Sequence, residues 1–160
     1  MVRVWDHNNF PRMIALFRPM LGRFLAQSTQ DVFNEMIRNW EMGQDVRGKP
    51  WTPISEDTAA RKGHATPLIH TRDMINSADF DVDRRNLQST ISIGTEYAAV
   101  HEYGAPDQGI PPRPVLGPAA DVLADQTPRM VDAAVHTSLL AGGRGIKLTA
   151  GLGPSGRPGR

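Results

Sequence analysis

The chain has 160 residues, 39% of them hydrophobic and 22% charged, with a formal net charge of +1 and no cysteine. That length suits one compact domain with tails, and the apolar fraction supports one modest core. The balanced charge argues against tight sequence-independent DNA binding. The missing cysteines exclude disulfides and thiol catalysis, and no run approaches the roughly 18 apolar residues of a membrane span.

The N-terminus, MVRVWDHNNF, has no basic region followed by an apolar stretch and carries no secretory pattern. A long helical stripe follows. Asn9 is the expected cap, Pro11 sits where a missing N–H costs little, and Phe10, Met13, Ile14, Phe17, Met20, Leu21, Phe24 and Leu25 recur at helical spacing. Val32, Phe33, Met36, Ile37 and Trp40 continue that face, Pro19 is expected to kink or divide it, and Gly43 to end it. The stripe can pack on the chain's own sheet at one end and on a neighbouring subunit at the other.

A short helix is expected after Ser55, with Glu56 and Asp57 in its first turn, Arg61 and Lys62 in its last, and Gly63 closing it. Another is expected within Pro67–Ser77, capped by Thr71. The period then changes to two. Phe80 and Val82 alternate with Asp79, Asp81 and Asp83, and Leu87, Ser89, Ile91 and Ile93 alternate with polar residues. This predicts a hairpin turning at Asp83-Arg84-Arg85-Asn86. A third short strand is expected at Arg113–Leu116. A helical region opens at Gly117-Pro118, with a break at Thr127-Pro128 and a second helix to about Leu140. The expected organisation is an α+β domain over 1–140, its small antiparallel sheet packed with N- and C-terminal helices. A Gly-rich basic tail follows over 141–160.

Motifs for catalysis fail one by one. His101-Glu102 opens like a zinc-protease helix, but Ala105 occupies the place of the second histidine. His64 and His70, six apart, would face opposite ways on a helix. Asp79, Asp81 and Asp83 lack the glycine and later Glu of a calcium loop. Gly142-Gly143-Arg144-Gly145 follows a helix instead of opening one, and no nucleophile elbow occurs. The expectation is no enzyme, no metal and no cofactor.

The most informative stretch is Tyr97-Ala98-Ala99-Val100-His101-Glu102-Tyr103-Gly104, followed by Ile110-Pro111-Pro112-Arg113-Pro114-Val115-Leu116-Gly117. It reads as a short aromatic helix and then a loop stiffened by three prolines. Tyr97, His101, Tyr103, Ile110, Pro111, Pro112, Arg113 and Pro114 are therefore the candidate subunit or partner interface. Tyr and Arg are favoured at such sites, and a rigid loop loses little entropy on binding. Composition alone leaves open a second reading, a stiff connector that tucks the tyrosines into the core.

These blocks resemble the phage virion morphogenesis family, the tail-completion proteins of Mu-like phages. The resemblance runs in order through Trp51-Thr52-Pro53-Ile54-Ser55 with Thr58 and Lys62, then Pro67-Leu68-Ile69-His70-Thr71, then Tyr97-Ala98 with His101-Glu102-Tyr103-Gly104, and the Ile110–Gly117 block. It covers about residues 51–117. Arg72 stands where the family usually has glycine, Pro112 where it has alanine, and Val115 where it has phenylalanine. The resemblance implies a non-enzymatic virion protein of the neck, assembled in the host cytoplasm as a ring of identical subunits. Its implied neighbours are other neck, tail or portal-side proteins, with at most weak, non-specific contact with DNA in the channel. An adaptor or stopper ring is the alternative within that class. A nucleic-acid-binding module using the basic tail is the alternative outside it.

Overall fold

The structure is a computed structural model, and it describes residues 9–142. The tail expected over 141–160 therefore lies, beyond Gly142, outside the described residues. The elements are α1 (Asn9–Glu41), α2 (Glu56–Lys62), α3 (Asp73–Asn76), β1 (Ala78–Asp83), β2 (Gln88–Ile93), α4 (Ala98–Tyr103), a single 3₁₀ turn (Pro106–Gln108) and α5 (Leu116–Gly142). The architecture is α+β: a two-stranded antiparallel hairpin packed against long N- and C-terminal helices.

Neither long helix divides at its proline. Both α1 and α5 run unbroken through Pro19 and Pro128. Each proline deprives the carbonyl four residues earlier of its donor. Pro19 and Ala15 are both exposed, as are Pro128 and Ala124, so the orphaned carbonyls lie on the solvent side. The opposite faces of the two helices pack on each other, which keeps both continuous through the defect.

The core lies where the C-terminal half of α1 meets the start of α5. Val32, Met36, Trp40, Trp51, Met74, Ile75, Val115 and Ala119 are buried there, and the Trp40 and Trp51 rings meet edge to face at 6.4 Å. The hairpin lies on α1 through its apolar face. Phe80 stacks tilted on Phe33 at 5.0 Å, and the hairpin turn comes close enough that a Cβ at Gly22 would meet the Arg84 carbonyl at 3.1 Å. Arg18 donates to the Arg85 carbonyl at 2.8 Å and pins the same turn.

Asp83 organises that turn. Its carboxylate accepts from the Arg85 and Asn86 backbone N–H groups at 2.9 and 3.0 Å. The Asn86 backbone N–H first, and then the Asn86 side chain and the Arg85 N–H, hold the Asp83 carboxyl below its ordinary pKa. β2 begins at Gln88, one residue later than the alternation suggests. Leu87 sits in the turn in the left-handed region at φ 57°.

The expected third strand at Arg113–Leu116 is absent. Pro111, Pro112 and Pro114 have no N–H to give a ladder, and the N–H groups of Arg113 and Val115 are already taken, by the His101 carbonyl at 2.6 Å and the Glu102 carboxylate at 2.7 Å. The segment is an extended strap that leads directly into α5.

Candidate functional site: a corner built from the motif blocks

The separate sequence blocks fold onto one corner. Trp51 donates its indole N–H to the Pro114 carbonyl at 3.0 Å. Arg113 donates from Nε to the Thr52 carbonyl at 3.0 Å and from Nη2 to the Pro53 carbonyl at 3.3 Å. Residues 51–53 are thereby tied to the Pro-Arg-Pro strap. Ala105 and Ile110 exchange backbone hydrogen bonds at 2.8 and 3.0 Å, closing the small loop between α4 and the strap.

Glu102 completes the corner. Its carboxylate accepts from the Val115, Leu116 and Gly117 N–H groups at 2.7, 3.0 and 2.7 Å. Val115 directly precedes α5, and Leu116 and Gly117 open its first turn, where N–H groups have no partner inside the helix. A carboxylate there also meets the positive end of the helix dipole. No local spacing points to it: a capping box puts its acid three residues into the helix, whereas Glu102 lies fourteen residues before α5 begins.

Two glycines permit the close approach. Gly104 has φ 78° and ψ 169°, a region that is essentially glycine-only. A Cβ there would meet the Pro112 nitrogen at 2.9 Å and the Ile110 carbonyl at 3.0 Å. At Gly117 a Cβ would meet Glu102 Oε1 at 3.1 Å. Arg72, in the place of a family glycine, adopts φ 62° and ψ 6°, and its guanidinium pairs with Glu41. The cap expected at Thr71 is not found: Arg72 holds the N-cap position of the short Asp73–Asn76 helix with no side-chain cap bond, and Thr71 only accepts from the Asp73 N–H at 3.4 Å.

The candidate interface residues divide into two sets. Tyr103 is 80% exposed and Tyr97 44% exposed, on a short helix fixed to the strap. Pro112 is exposed, and Ile110, Pro111 and Pro114 are half-buried. Arg113 is 6% exposed and bonded inside the chain, so its first role is to anchor the strap.

Beside them is a pocket of about 120 Å³. Lys62, His70, His101 and Arg113 supply its polar wall, and Leu68 and Met74 its apolar floor. The His101 ring meets Tyr97 edge on at 6.0 Å, and His101 Nδ1 is buried without a hydrogen-bond partner. Burial, then the Arg113 and Lys62 charges, hold the His101 pKa below its ordinary 6.5. Lys62 and His70 carried no interface expectation, because the chain brings them here only through the loop at 63–72.

That loop also corrects the expectation for His64 and His70. Neither is helical, and their rings sit 6.0 Å apart instead of facing opposite ways. Among the described residues, no three His, Asp or Glu side chains are grouped to hold a metal ion.

The chain is thus a small α+β module whose motif residues build a rigid, partly exposed corner. Residues 11–135 match the phage virion morphogenesis family, and the chain belongs to it. It is also similar to an uncharacterized protein of Methanocaldococcus jannaschii, 28% identical over 126 residues that cover 72% of this chain and 93% of that one. No solved structure matches it. Among the described residues no helix is long and apolar enough to cross a membrane.

Proposed function

We propose that the chain is a non-catalytic structural subunit of the phage neck, one copy in a ring that completes the tail or joins head to tail. The observation that carries this reading is the corner itself. Residues of the motif blocks are spent on internal bonds that make α4 and the strap rigid, and this leaves Tyr103 and Tyr97 on the surface. A large aromatic held exposed on a rigid support has the character of an interface anchor.

A closed ring needs two different faces on each subunit. A second face is available on α5, where Val131, Val135 and Leu139 are exposed at four-residue spacing, 38%, 39% and 50% accessible. Ile14 on α1, 55% exposed, adds to the apolar surface left on the long helices. DNA in the lumen would then meet a nearly neutral chain, and contact with it would be weak and non-specific.

The test is Tyr103→Ser in a phage genome. The variant should fold normally in isolation, because the side chain is exposed, yet give fewer complete particles, with heads and tails accumulating unjoined. Normal particle yield from a Tyr103→Ser phage would count against the corner as an interface.

A further inference from the structure

The wall of the pocket collects Lys62, His70, His101 and Arg113 with no acidic residue among its lining. Arg113 spends Nε and Nη2 on backbone carbonyls, while Nη1 makes no hydrogen bond among the described residues. Lys62 makes no ion pair among them either. His101 Nδ1 is buried and unsatisfied. Arg113 Nη1 and Lys62 are thus cationic donors without partners among the described residues, and such a site is built for a ligand that supplies acceptors.

Size and polarity narrow that ligand. About 120 Å³ is well below the roughly 300 Å³ at which sites for nucleotides and other cofactor-sized molecules begin. Leu68 and Met74 give the floor an apolar character that a bare inorganic anion does not use. A carboxylate on a short methylene stem fits both features.

The chain displays such a group on its second exposed face. Asp132 lies three residues before Val135 and seven before Leu139, so it shares their side of α5. It is exposed and makes no ion pair among the described residues. The apolar stripe around it would meet Tyr97, the exposed aromatic in the pocket's lining.

We propose that this pocket is a carboxylate receptor that takes Asp132 from a neighbouring copy of the chain. The proposal rests on the reading of the corner as a subunit interface and names its occupant. The contact is head to tail, since pocket and carboxylate lie on different elements, and repeating it generates a ring or a filament.

The experiment uses the purified full chain. In the first arm, propionate is titrated while the His101 imidazole is followed by NMR. A saturable shift is expected, with affinity weakened roughly tenfold in K62M, the loss of one charge-assisted partner. No saturable shift, or equal affinity in K62M, would overturn the carboxylate site, and so would phosphate binding more tightly than propionate. In the second arm, self-association is measured by sedimentation. D132N and K62M should each weaken it, and the double exchange K62D with D132K should restore it. Propionate binding in a chain that does not self-associate, or whose association survives D132N, would overturn Asp132 as the occupant. Absence of the chain from the neck of particles would remove the neck reading and leave both arms standing on their own results.

Discussion

Replacing Glu102 with alanine removes the acceptor for three backbone N–H groups at once, those of Val115, Leu116 and Gly117. A lost side-chain cap costs about 1–2 kcal/mol, and a hydrogen bond to a charged group contributes about 1.5–3 kcal/mol net. The three bonds share one carboxylate and do not add. Leu116 and Gly117 can turn partly to water, but Val115 is 1% exposed and cannot. The expected loss is therefore about 2–4 kcal/mol. With a urea slope of about 2 kcal/mol/M, the unfolding midpoint should fall by about 1–2 M at unchanged slope. Glu102→Gln retains one acceptor oxygen but turns its amide toward a backbone N–H, so it should lose roughly half as much. A loss below about 0.5 kcal/mol in the alanine variant would mean that water replaces the carboxylate, and the reasoning about the corner would fail.

Gly104→Ala should lower stability by about 3 kcal/mol or more in the same unfolding assay, because both the backbone conformation and the Pro112 contact oppose a Cβ; a change under about 1 kcal/mol would contradict this. At position 72, glycine should be more stable than alanine by about 1 kcal/mol, the reverse of their order inside a helix; both variants lose the Glu41 pair, so the difference isolates the left-handed backbone. The His101 pKa is depressed in the folded chain, so the unfolded chain binds its proton first as pH falls. The stabilisation is complete above about pH 6.5 and is lost as pH drops toward the folded value. The thermal midpoint should accordingly fall more between about pH 7 and pH 5 in the wild type than in His101→Gln, and parallel curves would refute it.

Features set by local chemistry were legible in the sequence. Ser55 caps α2 by accepting from the Thr58 N–H, and Gly63 ends it at φ 75°, because both signals act within one turn. The hairpin's two-residue alternation holds, with Phe80 opposite Ile91 and Val82 opposite Ser89 on its half-buried face. Features decided by packing were not legible. The long α1–α5 contact carries both helices through Pro19 and Pro128, a tertiary effect that outweighs a local breaker. Leu87 reads as a strand residue by type but is taken by the turn that Asp83 dictates. The site was legible in part. Tyr97 and Tyr103 could be singled out by residue type, whereas the burial of Arg113 and the cap from Glu102 depend on a fold that brings residues 51–53, 101–102 and 113–117 together. Arg72 shows the two levels agreeing: the place of a family glycine has a positive φ.

The central claim, a subunit placed at the junction of head and tail, is tested most directly by electron microscopy of assembled particles carrying an electron-dense label on this chain. The account predicts a ring of label at the neck. Label confined to the head shell, or particles without the chain, would contradict it.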